Sequence, residues 1–176
     1  MFGFVLPEKF ENFPRFLFAH SIIFFLFILG LVNLSLPLTG QIRPFFILMA
    51  VFYWSMHRPS MIHPLLLFVY GIVFDLILNF PVGLHAILFL LVQWVIKTQR
   101  AFFMGQPYLV VWICFACTCF SVFTIEWVFF SIISSMFLSV TPLLSSFVLT
   151  VLMFPPVSLF FIFVNRMLPL TTSSVH

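Results

Sequence analysis

Apolar residues run through the chain in six stretches: Phe16 to Leu36, Pro44 to Met56, Met61 to Asn79, Leu84 to Ile96, Pro107 to Ser131 and Pro142 to Val164. Proline, glycine and charged residues separate them. A bilayer core about 30 Å thick needs about 20 helical residues at a rise of 1.5 Å each. The first, third, fifth and sixth stretches predict helices of that length. The second and fourth hold about 13 apolar residues, or roughly 20 Å of helix, and read as short spans with polar flanks or as re-entrant segments.

Composition makes lipid the solvent for these helices. Of 176 residues, 64% are hydrophobic and 6% charged, against about a quarter charged in an ordinary soluble domain. A soluble fold of this length buries only about two thirds of its unfolded surface and has no means of hiding so much apolar area. The 29 phenylalanines fall mostly inside the apolar stretches, as lipid-facing bulk and inter-helix filling. No basic block suits nucleic acid. Cys114, Cys117 and Cys119 lie in one apolar run, VWICFACTCF, without further ligands for a metal, and read as small buried hydrophobes. The first fifteen residues read as a mixed lead-in without a signal cleavage site.

The few charges set an expected orientation. If all six stretches cross, Lys9, Arg15, Arg58, Lys97, Arg100 and Arg166 share one side and Arg43 stands on the other. Basic residues favour the cytoplasmic side. The expectation is a single membrane domain over residues 1–176: an all-α integral membrane protein, a compact bundle of six transmembrane helices with both termini cytoplasmic.

The polar residues within that bundle converge near its outer rim. Asp75 lies about twelve residues, roughly 18 Å, into the third helix. Glu126 stands late in the fifth, Arg43 at the start of the second and His85 at the start of the fourth. Unpartnered carboxylates in a membrane cost about 2.5–3.5 kcal/mol at a helix centre, so they are expected to face inward and to find partners. Arg43 is the fixed cation on that side. It is expected to pair with Asp75 or Glu126, with His85 as a neutral or switchable fourth member. If Asp75 pairs with Arg43 alone, Asp75→Ala does less damage than Arg43→Ala, because arginine can snorkel to the rim. Gly71, Asp75 and Asn79 share one helix stripe, on which Gly71 lets a neighbouring backbone come close. Pro81 and Gly83 then make a tight turn that returns His85 to the level of Asp75. The cluster reads as an inter-helix clamp, with a ligand pocket as the alternative. No nucleophile elbow, zinc-binding histidine pair or phosphate loop is present. The expectation is a protein that is not an enzyme, with no metal and no cofactor.

Arg43-Pro44, Tyr53-Trp54, Pro59, Gly71 followed by Asp75, and Pro81, Gly83, Leu84, His85, Ala86 together resemble the bacterial rod shape-determining MreD family. The resemblance implies a non-enzymatic scaffold subunit of the cell-wall elongation machinery in the cytoplasmic (inner) membrane. Implied partners are the single-span protein MreC, the peptidoglycan glycosyltransferase RodA with its transpeptidase partner, indirectly the MreB filaments, and membrane lipid. It also implies a fold similar to the substrate-binding subunits of energy-coupling-factor transporters, and so an alternative function as a vitamin-type binding subunit. The Ala-x-x-x-Ala contact surface of those subunits is absent here, where Ala19 is followed by Ile23.

Overall fold

The computed structural model describes residues 13–31, 34–36, 40–59, 62–134 and 140–167. The N-terminal lead-in, with Lys9, lies outside them. Six long helices and one helical turn follow in order: α1 (Phe13–Gly30), α2 (Phe46–His57), α3 (Pro64–Leu78), α4 (Leu84–Thr98), the turn α5 (Arg100–Phe103), α6 (Tyr108–Ser134) and α7 (Val140–Met167). A two-stranded antiparallel hairpin, β1 (Leu34–Leu36) and β2 (Gly40–Ile42), lies between α1 and α2, with Leu34 opposite Ile42 and Leu36 opposite Gly40.

The hairpin corrects the first predicted span, which was drawn through to Leu36. The helix stops at Gly30. Leu34, Ser35 and Leu36 alternate apolar and polar with the period of a strand, and Pro37 has no N–H with which to continue a helix. The apolar run therefore holds two kinds of structure.

Among the described residues, two helical segments suffice by length and composition to cross a membrane, Tyr108–Ile133 in α6 and Val140–Val164 in α7. The helices α2, α3 and α4 are apolar but shorter, at 12, 15 and 15 residues. Of these, α2 has an unusual place. Every residue from Ile47 to Met56 is buried, and α1, α4, α6 and α7 all contact it. A helix apolar on all sides can be buried all round by other helices. Trp54 is 2% exposed and belongs to this core. Trp94 is exposed.

The segment joining β2 to α2 is pinned to α7. Two backbone N–H groups donate to hydroxyls one helical turn apart, Arg43 to Ser146 Oγ at 3.3 Å and Phe45 to Thr150 Oγ1 at 3.1 Å. These bonds give side-chain partners to backbone donors at and just ahead of the N-cap of α2. Further along α7, Pro155 and Pro156 lie inside the helix. The missing N–H of Pro155 releases the Val151 carbonyl four residues earlier, and Trp112 Nε1 of α6 donates to that carbonyl at 3.0 Å. A helix break is thereby turned into a clasp between α6 and α7.

The α3–α4 connection is tight. Asn79 caps α3 in the left-handed conformation (φ 55°), and the N–H groups of Asn79 and Phe80 both donate to the Asp75 carbonyl. Gly83 begins α4 at φ 100°. A Cβ at Gly83 would meet nothing within 4 Å, so only backbone strain opposes a side chain there. Gly83→Ala is expected to cost about 1–2 kcal/mol, seen as a lower midpoint in thermal unfolding of the detergent-solubilised protein followed by circular dichroism.

Candidate functional site

The turn brings Asp75, His85 and Glu126 into one chain of contacts. His85 Nδ1 lies 2.6 Å from Asp75 Oδ1, and His85 Nε2 lies 2.8 Å from Glu126 Oε1. The imidazole thus bridges a carboxylate of α3 to a carboxylate of α6. Asp75 is fully buried, His85 is 1% exposed and Glu126 8%. Buried charges persist only when paired and hydrogen-bonded, and the bridge meets that requirement at both ends.

Asp75 has a second function in the same place. Helix α4 opens on Gly83, which has no side chain to cap its free N–H groups. Asp75 supplies the cap from the preceding helix: Gly83 N donates to Oδ2 at 2.8 Å, and His85 N lies 3.3 Å from both carboxylate oxygens. A carboxylate at a helix N-terminus is favoured both by these N–H groups and by the helix dipole. The eight-residue separation from Asp75 to Gly83 is what the turn requires to fold the start of α4 back onto the acid.

Four aromatic rings surround the imidazole. The ring centres of Phe74, Phe80, Phe45 and Phe89 lie 4.7, 4.8, 5.5 and 5.9 Å from that of His85. These rings pack around the imidazole and shield the Asp75 side of the bridge, where Asp75 is fully buried.

Each nitrogen–oxygen contact is of hydrogen-bond length, so each places one proton between the imidazole and a carboxylate.

Asp75, His85 and Glu126 converge, but the ion pairs that Asp75 and Glu126 make among the described residues run to His85 and not to Arg43. The arginine was a natural choice as the fixed cation on that side; the α4 N–H groups and the imidazole take the role instead. The turn sequence that follows Asp75 was the signal for this. Arg43 lies beside the bridge, lining with Glu126 and His85 a cavity of about 450 Å³. Its walls come from the end of α1 (Gly30), the approach to α2 (Arg43 to Phe45), the end of α3 (Leu78), α6 (Phe123) and the start of α7 (Ser146). Asp75 is buried behind His85 and is not part of the lining. Gly71 stands where the close helix approach was expected, against Ala86 of α4. Pro81 accepts a bond from Leu84 N at 3.1 Å within the turn.

Among the described residues no group of three histidine, cysteine, aspartate or glutamate side chains is arranged to hold a metal ion. Cys119 is buried in the core, and Cys117 faces outward on α6.

Fold and site together define a helical membrane protein built around a buried acid–imidazole–acid bridge at one end of its helices. The family model for the rod shape-determining protein MreD matches residues 14–164, and the chain belongs to that family. Membership gives it a part in the system that determines rod cell shape. Neither the curated proteins nor the solved structures compared with the chain include a match.

Proposed function

We propose that this protein is a non-enzymatic scaffold subunit of the cell-wall elongation machinery. It crosses the inner membrane six times with both termini in the cytoplasm, binds MreC, and through MreC helps to organise RodA and its transpeptidase partner under the MreB filaments. The observation that carries this reading is the match to the MreD family over residues 14–164. The outward faces of the helices support it: Leu65, Trp94 and Ile132 are among many large apolar side chains that stand mostly exposed, and these offer area to lipid and to partner helices.

The test is co-purification of tagged full-length protein with MreC, RodA and the transpeptidase from solubilised membranes, together with depletion of the gene. Recovery of MreC, with rounding or widening of depleted cells, is the expected result. Rod cells of unchanged width after depletion would overturn the reading. The alternative of a vitamin-type binding subunit draws support from the cavity against Glu126 and His85. It is weakened by the burial of Asp75 away from that cavity and by the Ala19/Ile23 pattern in the first helix.

A further inference from the structure

A second cavity, of about 270 Å³, lies at the opposite end of the helices from the bridge, against the last turns of α2, the start of α6 and the far half of α7. Its wall holds five polar side chains, Tyr53, His57, Gln106, Tyr108 and Ser158. Tyr53 is 4% exposed, and its hydroxyl is buried without a hydrogen-bond partner among the described residues. Such a group costs free energy that a ligand atom can recover. Trp54, Ser55 and Ser131 also hold an unpartnered buried atom, but none of them lines this cavity. Ser158 Oγ donates to the Pro155 carbonyl at 2.8 Å, so in the 2.7 Å contact between Tyr108 and Ser158 the phenol is the donor. The Tyr108 oxygen keeps lone pairs with which to accept a further bond. Gln106, half-buried ahead of α6, adds a carboxamide, and His57 is held in place by donating Nδ1–H to the Tyr53 carbonyl at 3.1 Å.

The charge beside this cavity is positive. Arg100 Nε donates to the Met56 carbonyl at 3.0 Å, and Met56 is part of the wall. That carbonyl is neutral, and both ion pairs among the described residues belong to His85. The described acids, Asp75 and Glu126, stand with the bridge at the opposite end. Guanidinium recognises phosphate through paired N–H bonds, and phenol and carboxamide groups exchange hydrogen bonds with hydroxyls. Met104 and Tyr108 are exposed and give the cavity a side open to the surroundings. Its volume falls just below the range of about 300–1,000 Å³ typical of sites for drug-sized molecules, which suits a head group and not a whole lipid. We infer that this cavity binds a glycerol phosphodiester, with its phosphate toward Arg100 and its hydroxyls at Tyr53, Tyr108 and Gln106. The chemistry is shared by the head of phosphatidylglycerol and by soluble glycerophosphoglycerol. The inference is independent of the scaffold reading, because it concerns a site inside the chain and not a protein partner.

The experiment uses the purified full chain and native mass spectrometry after equilibration with mixed micelles of phosphatidylglycerol and phosphatidylethanolamine. A parallel titration uses glycerophosphoglycerol, read by thermal shift. Retention of phosphatidylglycerol at least about tenfold over phosphatidylethanolamine, a ratio equivalent to ~1.4 kcal/mol, would identify a lipid head as the source. A saturable thermal shift with glycerophosphoglycerol would identify a soluble ligand. Either result supports the site if Tyr53→Phe and Arg100→Gln each weaken it at least about threefold, the scale of one hydrogen bond, and Ser121→Ala, on the exposed face of α6, does not. Tyr53→Phe removes one oxygen and no charge, so a general attraction of a basic protein for anionic lipid does not respond to it. Should Arg100→Gln fail to fold without its bond to the Met56 carbonyl, Gln106→Leu takes its place with the same expected loss. A preference below tenfold with no response to the soluble compound, or a signal that Tyr53→Phe leaves intact, would overturn the inference.

Discussion

Gly71→Ala is expected to lose most of the folded protein. A Cβ at Gly71 would lie 2.3 Å from Ala86 Cα and 2.5 Å from Ala86 N, distances at which atoms cannot coexist. The obstacle is backbone in the first turns of α4, so no rotamer change relieves it. Helices α3 and α4 would have to separate along the line that holds Asp75 against His85 N. Overfilling a well-packed interior costs about 1–3 kcal/mol when side chains can shift, and more when they cannot; at least about 3 kcal/mol is expected here. The measurement is the yield and thermal midpoint of the detergent-purified variant. Gly105→Ala is the matched control, since its nearest neighbour beyond the local chain is the Phe102 carbonyl at 4.0 Å, and it should behave as the parent. A Gly71→Ala protein with the parent's midpoint would show that the two helices are not held at this spacing.

Asp75→Ala is expected to be the most damaging change within the bridge and worse than Arg43→Ala. The expectation drawn from the sequence was the reverse, because it made the two residues a pair with a mobile arginine. In the structure Asp75 is sealed and receives Gly83 N, His85 N and His85 Nδ1. Its removal strands the start of α4 and one side of a buried imidazole. Breaking a buried pair by deleting one partner costs about 3–5 kcal/mol, and stranded backbone donors add to this. Arg43 is half-buried at the edge of an open cavity, where water can replace part of what the side chain supplies. Asp75→Asn retains an oxygen for the α4 N–H groups but not the charge, so it should fall between the parent and Asp75→Ala. Thermal midpoints of the three variants, with cell width on complementation of a depleted strain, give the order. If Arg43→Ala melts lower than Asp75→Ala, the capping account fails.

These two outcomes show which parts of the site could be read along the chain. Gly71 and Asp75 share a stripe because helical periodicity is local, and Pro81 and Gly83 mark a turn because their backbone preferences are local. The convergence of Asp75, His85 and Glu126 followed from depth, since few polar groups in lipid can stand anywhere but inside. The partner of Asp75 did not follow. Charge complementarity points to the nearest arginine, whereas the acceptor demand came from backbone N–H groups, which every residue except proline carries and which no residue identity reveals.

The short apolar runs had the same ambiguity. A stretch of about a dozen apolar residues is equally a short span, a re-entrant segment or a buried helix. Phe46–His57 is enclosed because four other helices contact it, and that arrangement depends on shape complementarity over the entire chain. The break at Gly30 and the hairpin after it were visible in the alternation of Leu34, Ser35 and Leu36, which the surrounding hydrophobicity obscured.

The sequence by itself determined the solvent, the helical character and the family, because hydrophobicity, backbone preference and motif order are properties of a linear string. Only the tertiary structure decided that α2 is the core, that Asp75 caps α4, and that His85 joins two acids beside a cavity that Arg43 also lines. The reason is physical: those relations depend on distances of a few ångströms between residues up to a hundred positions apart, and those distances exist only once the helices have packed.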